Sequence, residues 1–292
     1  ARWDVNDGEL KRWKTWSLTV KKKFSLKFTK QQLRWVPNAL TLCNSLCGFW
    51  AIIYTLTVYN EGISKAEYLQ VFAVSAWIIV FAMVFDAMDG FAARLLNAAS
   101  MHGLQMDSLA DMVTFGVAPA VIVTIMTHVL HSSWNGINFA VYLLCSIYLG
   151  CAALRLATYN VHAIQEKKSG EKFTGLPSPG AAAAICSVVL IYGQFSERLD
   201  RFTYFLPIYA AILGFLMVST IPYTHMGRWT FSVRRNRKRL VMLLIGLGLV
   251  VIFRAMAVVV LLNLYILSGP FNSLVIWLKR GGSASSATAA GQ

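Results

Sequence analysis

Residues 71–94 read VFAVSAWIIVFAMVFDAMDGFAAR, and this stretch decides the class of fold. About 18 residues without a charged side chain separate Glu67 from Asp86, which is the length that a helix needs to cross a bilayer. Asp86 and Asp89 then follow at a spacing of three, so they share one face of the same helix. The stretch predicts a membrane-spanning helix that ends in a pair of carboxylates.

The composition of the whole chain agrees with a membrane protein. Of its 292 residues, 57% are hydrophobic and 14% are charged, whereas soluble domains carry about 25% charged residues. A water-soluble globule is therefore excluded, and so is a disordered chain, because this much apolar surface must be buried. We predict an all-α fold, a polytopic transmembrane helix bundle of about eight spans.

Long apolar blocks predict where the spans lie. Six of them fall at residues 38–58, 70–90, 104–128, 137–159, 177–195 and 204–223. The block at 240–278 is too long for one crossing, and Arg254 would be costly at the bilayer centre, so we expect two further spans there.

The segments outside the spans are basic or low in complexity. Residues 1–36 mix basic and aromatic side chains, which predicts an N-terminal amphipathic helix in the membrane interface. Residues 224–239 predict a basic cytoplasmic loop, and residues 279–292 predict a disordered tail.

The net charge of +14 comes from 27 Lys+Arg against 13 Asp+Glu. Such a charge also fits nucleic-acid binding. Here the basic residues gather at the edges of apolar blocks, as expected of cytoplasmic loops that face anionic lipid. We therefore predict membrane lipids as partners, no nucleic acid, and a multi-pass protein whose N-terminus and loop 91–103 are cytoplasmic.

Four aspartates are the only acids within the apolar spans. Asp107 and Asp111 are four residues apart and share a face at the start of the helix after Asp86 and Asp89. The turn between these helices makes them antiparallel neighbours, so the two pairs can converge. Four crowded carboxylates repel one another unless a cation lies between them. Their oxygens suit Mg²⁺, Mn²⁺ or Ca²⁺ better than zinc. Pairing with Arg94 is the alternative, but one arginine cannot neutralise four carboxylates.

Small residues lie beside these carboxylates. Gly90 and Ala93 lie on the same helix face as Asp86 and Asp89 and leave almost no side-chain bulk beside them. Gly103 does the same for the carboxylates of the next helix. Such a surface admits a bulky ligand, and it equally permits close helix packing. Arg94 is placed to pair with a phosphate. A metal, an arginine and a small surface together describe a pyrophosphate site.

The spacing of these residues resembles the signature of the CDP-alcohol phosphotransferase family. The matching positions are Asp86, Asp89, Gly90, Ala93, Arg94, Gly103, Asp107 and Asp111. Members transfer a phosphatidyl or similar group from a CDP-linked donor to an alcohol and release CMP. The resemblance implies that the four aspartates hold two divalent ions, Mg²⁺ or Mn²⁺, on the donor's pyrophosphate. It also implies that Asp111 is the catalytic base for the acceptor hydroxyl.

The same resemblance implies a nucleotide site and a catalytic core over residues 37–223. Asn38 and Thr41 match an Asn-x-x-Thr stretch that the family uses for the nucleotide. The implied nucleotide and pyrophosphate contacts are Asn38, Thr41, Gly90, Ala93, Arg94 and Gly103.

Three segments, 107–119, 154–161 and 173–179, are similar to those of the CDP-diacylglycerol–serine O-phosphatidyltransferases. This similarity implies an enzyme of phospholipid biosynthesis that uses CDP-diacylglycerol and L-serine and forms phosphatidylserine. Arg155, Asn160 and Ser108 are then the candidate contacts to serine. The alternatives are that Arg155 snorkels to lipid phosphate, Asn160 caps its helix, and Ser108 only bonds between helices.

Other interpretations stay open. Thr158 stands where these enzymes usually carry a second arginine, so glycerol 3-phosphate, inositol phosphate or choline are alternative acceptors. A divalent-cation transporter could use the same aspartates, but the sequence has no internal repeat and they lie towards one membrane face. Homodimers are common among the resembling proteins, and the small residues at 180–184 would permit close packing between copies.

Overall fold

The computed structural model describes residues 35–60, 64–96, 100–130, 135–165, 175–221, 263–264 and 266–270. Secondary structure in these ranges is entirely helical. The main helices are α1 (Trp35–Leu56), α2 (Lys65–Leu95), α3 (Met101–Asp111), α4 (Ala118–Leu130), α5 (Asn135–Gln165), α6 (Ser178–Leu199) and α7 (Leu206–Val218). A π-helical turn (Met112–Val117) joins α3 to α4, and 3₁₀ turns (Thr57–Tyr59 and Asp200–Phe205) follow α1 and precede α7.

Four segments are long and apolar enough to cross a membrane. They are Trp35–Tyr59, Ala66–Leu95, Met101–Leu130 and Phe139–Val161. Two shorter apolar helices, Ser178–Tyr192 and Thr203–Val218, coincide with the fifth and sixth spans predicted from the sequence. The N-terminal interfacial helix, the basic loop, most of 240–278 and the tail lie outside the described residues.

The core of the bundle is apolar, and so is its outer surface. Phe72, Ile79 and Phe115 have at most 1% of their surface exposed. By contrast, Trp77 and Phe139 are 55% and 75% exposed. Large apolar side chains on the outside are expected where lipid, and not water, surrounds a bundle.

The small residues at 180–184 have a different role from the one that the sequence suggested. Ala181, Ala182 and Ala184 are fully buried inside the bundle. They allow α6 to pack closely within the chain, because side chains this small let helix backbones approach each other. The alanines of this run therefore face the inside of the chain.

The start of α2 is fixed by a reciprocal cap. The Ser64 side chain accepts from the backbone N–H of Glu67, and the Ser64 N–H donates to the Glu67 carboxylate. This arrangement satisfies two backbone donors that the first turn leaves unpaired. This cap fixes the residue at which α2 begins, and so it also fixes the position of Asp86 and Asp89 near the other end of α2.

The π-helical turn follows Asp111 directly and is tied to a neighbouring helix. The hydroxyl of Tyr148 on α5 donates to the carbonyl of Phe115 at 2.7 Å. Gly116 lies so close to α5 that an added Cβ would come 3.5 Å from that of Ala152. Such widened turns inside helices occur frequently at functional sites.

A short segment before α6, residues 175–177, contacts both α5 and α7, and we call it the strap. Gly175 has φ of 90° and donates to the carbonyl of Ile221 at 2.8 Å. Leu176 donates to Leu216 at 3.1 Å and accepts from Nε of Arg155 at 3.3 Å. Any Cβ at Gly175 would lie 2.4 Å from a backbone oxygen of α7, so only glycine fits here.

Candidate active site

Three carboxylates converge where α2 ends and α3 begins. Oxygens of Asp86, Asp89 and Asp107 all lie within 4.8 Å of one another. Asp89 is 5% exposed, and the other two are half-buried. The spacing of the four aspartates predicted that the two pairs would converge, and the oxygens of these three do meet in the described residues.

Asp111 lies one turn after Asp107 and is only 9% exposed. It shares a helix face with Asp107, because the two are four residues apart in α3, and it accepts from Nδ2 of Asn44 on α1. The fourth aspartate therefore belongs to the same cluster, on the side that faces α1.

Thr41 of α1 contacts this cluster directly. Its hydroxyl lies 2.8 Å from Oδ2 of Asp89 and 3.0 Å from the carbonyl of Pro37. The sequence assigned Thr41 to the nucleotide, and in the structure its hydroxyl also contacts a carboxylate of the cluster. We conclude that α1 helps to build the acidic cluster itself.

Asn44, one turn further along α1, is a site residue that the sequence analysis missed. Its Nδ2 donates to Oδ1 of Asp111 at 3.1 Å, and its side chain is fully buried. The available signal was a polar amide three residues after Thr41 in a mainly apolar helix, so both share one face.

Two buried acceptors at this cluster have no hydrogen-bond donor among the described residues. They are Oδ1 of Asp107 and Oδ1 of Asn44. A buried carboxylate oxygen without a donor is costly unless a cation or a water reaches it. Together with the hard oxygen donors around it, this observation fits a divalent metal ion.

The residues assigned to the nucleotide line one rim of the cluster. Gly90 has open space beside it, because a Cβ at this position would meet no atom within 4 Å. Arg94 is exposed, and its Nε donates to the carbonyl of Gly90 at 2.9 Å. Ala93 is half-buried on the same helix. This rim therefore has room for a ligand beside the carboxylates.

Asn38 and Gly103 are close to each other across α1 and α3. A Cβ at Gly103 would lie 3.6 Å from Oδ1 of Asn38 and 3.2 Å from the hydroxyl of Ser100. Ser100 caps α3 by accepting from the N–H of Gly103 at 3.0 Å. The absence of a side chain at Gly103 thus keeps the Asn38 amide next to the start of α3.

The acceptor candidates divide into two groups. Ser108, between Asp107 and Asp111, lies 2.8 Å from Oδ1 of Asn160, which brings α5 beside the cluster. Asn160 is inside α5, so it does not cap that helix. Arg155 is 9% exposed and donates to the strap at Leu176, which argues against snorkelling to lipid phosphate.

The comparisons with known proteins agree with one another. The sequence profile of a family described as CDP-alcohol phosphatidyltransferase matches residues 34–226. A CDP-diacylglycerol–serine O-phosphatidyltransferase from Helicobacter pylori is 29% identical over 243 residues, which cover 83% of this chain and 92% of the relative. One from Bacillus subtilis is 34% identical over 214 residues, covering 68% and 99%. An archaetidylserine synthase from Methanothermobacter thermautotrophicus is 30% identical over 190 residues, covering 64% and 69%.

Proposed function

This chain belongs to the CDP-alcohol phosphatidyltransferase family, and from that premise we propose that it transfers the phosphatidyl group of CDP-diacylglycerol to the hydroxyl of L-serine. The products are phosphatidylserine and CMP. The chain is an integral membrane enzyme, with apolar helices that can cross the bilayer. The observation that carries the proposal is the convergence of the aspartates of α2 and α3 at one end of these helices.

The metal site is the first part of the proposal. Asp86, Asp89 and Asp107 would be the ligands, and Asp111 would complete the set for two Mg²⁺ or Mn²⁺ ions. Bound divalent ions would offset the negative charge on the pyrophosphate and on the departing CMP phosphate. The support is the closeness of these oxygens and the Asp107 oxygen that lacks a donor among the described residues.

The donor lies on the rim of small residues. Gly90, Ala93 and Gly103 leave room for the cytidine to approach the backbone, and Asn38 offers its amide to the base. Arg94 binds the pyrophosphate, which suits a guanidinium because it presents several N–H donors to phosphate oxygens. The acyl chains stay in the bilayer beside the exposed apolar faces of the helices.

The reaction is an in-line displacement at the lipid-side phosphorus. Asp111 takes the proton of the serine hydroxyl, and the oxygen then attacks phosphorus. The bond from that phosphorus to the bridging oxygen breaks, and CMP leaves with this oxygen. Proton removal by a positioned carboxylate contributes about 10²–10⁴-fold to such rates.

Serine is the acceptor that the relatives favour. The names of the bacterial and the archaeal relatives both include serine, although their lipid groups differ. Ser108 and Asn160 border the cluster, and Arg155 supplies a buried cation for the serine carboxylate. The active site and the N-terminus lie on the cytoplasmic side in this proposal, and the support is the excess of Lys and Arg in the predicted loops on that side.

The test offers the purified full chain CDP-diacylglycerol with serine, glycerol 3-phosphate, inositol phosphate or choline. Mass spectrometry identifies the phospholipid, and CMP release gives the rate. We expect phosphatidylserine only, and only with Mg²⁺ or Mn²⁺ present. A different phospholipid would correct the acceptor. Metal flux into liposomes without CMP release would replace the enzyme with a transporter.

A further inference from the structure

We propose that Asn44 is a positioning residue that holds Asp111 in the orientation needed to accept the serine proton. This inference rests on the proposed function and assigns a role to a residue outside the family signature. Asn44 is fully buried on α1, and Nδ2 donates to Oδ1 of Asp111 at 3.1 Å. This hydrogen bond fixes the plane of the carboxylate and hence the direction in which its oxygens face the metal ions and the acceptor hydroxyl.

The side-chain amide of Asn44 can face Asp111 in only one orientation, with its nitrogen towards the carboxylate. If it turned over, its own oxygen would face the carboxylate oxygen of Asp111, and two acceptors would repel each other. Oδ1 of Asn44 must therefore point elsewhere, and it has no donor among the described residues. The hydrogen bond to Asp111 is kept at the expense of an unpaired buried acceptor, which a purely structural residue would avoid.

The backbone of Asn44 is held as firmly as its side chain. The hydroxyl of Thr114, in the π-helical turn, donates to the carbonyl of Asn44 at 2.9 Å. Gly48 makes this approach possible, because a Cβ there would lie 2.5 Å from Oγ1 and 2.8 Å from Cα of Thr114. The π-helical turn, which begins immediately after Asp111, is thus hydrogen-bonded to α1, the helix that carries Asn44.

A second buried contact of α1 shows what a purely structural role looks like. The hydroxyls of Thr55 and of Ser75 on α2 lie 2.9 Å apart, Thr55 Oγ1 also lies 2.8 Å from the carbonyl of Ala51, and both residues are fully buried. Neither residue contacts an aspartate in the hydrogen bonds of the described residues. Thr55→Val removes a buried bond between helices without touching the cluster, so it is the matched control.

The experiment compares Asn44→Leu, Thr55→Val and the unsubstituted full chain in mixed micelles with CDP-diacylglycerol, serine and Mg²⁺. Leucine has nearly the shape of asparagine but cannot donate. We expect kcat to fall about 10- to 100-fold in Asn44→Leu, because a misoriented catalytic group costs about this much. The KM for CDP-diacylglycerol and the affinity for CMP should stay within about twofold, because the donor site is intact. Thr55→Val should keep its kcat.

Several results would overturn the inference. One is an unchanged kcat in Asn44→Leu while the unsubstituted chain is active. Another is a loss that Thr55→Val reproduces, or one that is matched by an equal rise in the KM for CDP-diacylglycerol. If the leucine variant does not fold, Asn44→Ala, which cannot clash, makes the same comparison. Absence of CMP release from the unsubstituted chain with every acceptor would instead overturn the proposed function, and this inference with it.

Discussion

The two ends of α1 meet their neighbours in opposite ways. At the carboxylate end, defined by Thr41 and Asn44, each side chain donates to an aspartate of another helix. At the apolar end, defined by Ala51 and Thr55, the Thr55 hydroxyl pairs with an uncharged serine, and Ala51 is fully buried in the core. One helix therefore joins a charged site to an ordinary membrane-protein core.

The difference lies in how completely the polar groups are satisfied. Thr55 and Ser75 pair with each other, while Asn44 and Asp107 each keep a buried oxygen without a donor in the described residues. An unpaired buried polar group costs about 1–3 kcal/mol. A chain built for stability alone would not concentrate such groups at one end. The carboxylate end is therefore arranged for a ligand, and the apolar end for packing.

The largest expected effect comes from changing the base. Asp111→Asn keeps the shape of the side chain but removes its ability to take a proton, so turnover should fall by about 10²–10⁴-fold. Binding of CMP should largely persist, because Asn38, Gly90 and Arg94 are untouched. CMP release measures the first quantity and isothermal calorimetry the second.

The control for this substitution is the folded state of the variant. Gel filtration in detergent should give the same elution volume for Asp111→Asn and the unsubstituted chain. If Asp111→Asn retained full activity, Asp111 would not be the base, and the carboxylate end would be a binding site in which another group moves the proton.

A smaller effect, on stability, is expected where α1 touches the π-helical turn. Gly48→Ala would place a Cβ 2.8 Å from Cα of Thr114, so the helix must shift. Such overpacking typically costs about 1–3 kcal/mol. Thermal unfolding in detergent measures the loss, and CMP release should fall as well because Asn44 moves with the helix.

Gly150 is the matched control for this change. It lies in the middle of α5, and a Cβ there would meet no atom within 4 Å. Gly150→Ala should raise stability slightly, because alanine favours a helix over glycine by about 1 kcal/mol. Equal melting temperatures for Gly48→Ala and Gly150→Ala would show that α1 does not pack closely against the π-helical turn at Gly48.

The sequence predicted those parts of the molecule that depend on periodicity and spacing. Apolar blocks located the helices, and the intervals between Asp86, Asp89, Asp107 and Asp111 predicted a common cluster. The contact between Thr41 and Asp89 could not be predicted, because the two residues are 48 positions apart and on different helices. Spacing within one helix says which residues share a face, but it does not say which face a distant helix will contact.

Two further features had no readable signal. The π-helical turn at Met112–Val117 differs from a regular helix by one step in its hydrogen bonding, and its composition is that of any apolar span. Arg155 was a candidate contact to serine or a cation that snorkels to lipid phosphate, but nothing local predicted its burial, which depends on the strap that Gly175 turns over α5. In both cases tertiary packing, and not local preference, decides the structure.

The smallest effect is expected from a substitution at the apolar end of α1. This substitution tests directly whether the two ends of α1 act independently. Thr55→Val deletes the bond to Ser75 while keeping the shape of the side chain, and hydrogen bonds between membrane helices contribute about 0.6 kcal/mol on average. The melting temperature in detergent should therefore fall only slightly, and kcat should match that of the unsubstituted chain. The reason is distance along α1, because Thr55 lies three turns beyond Asn44, and Ala51, which lies between them, belongs to the apolar core. A clear loss of turnover in Thr55→Val would mean that α1 transmits any disturbance to the aspartates, and the two ends would then have to be treated as one functional unit.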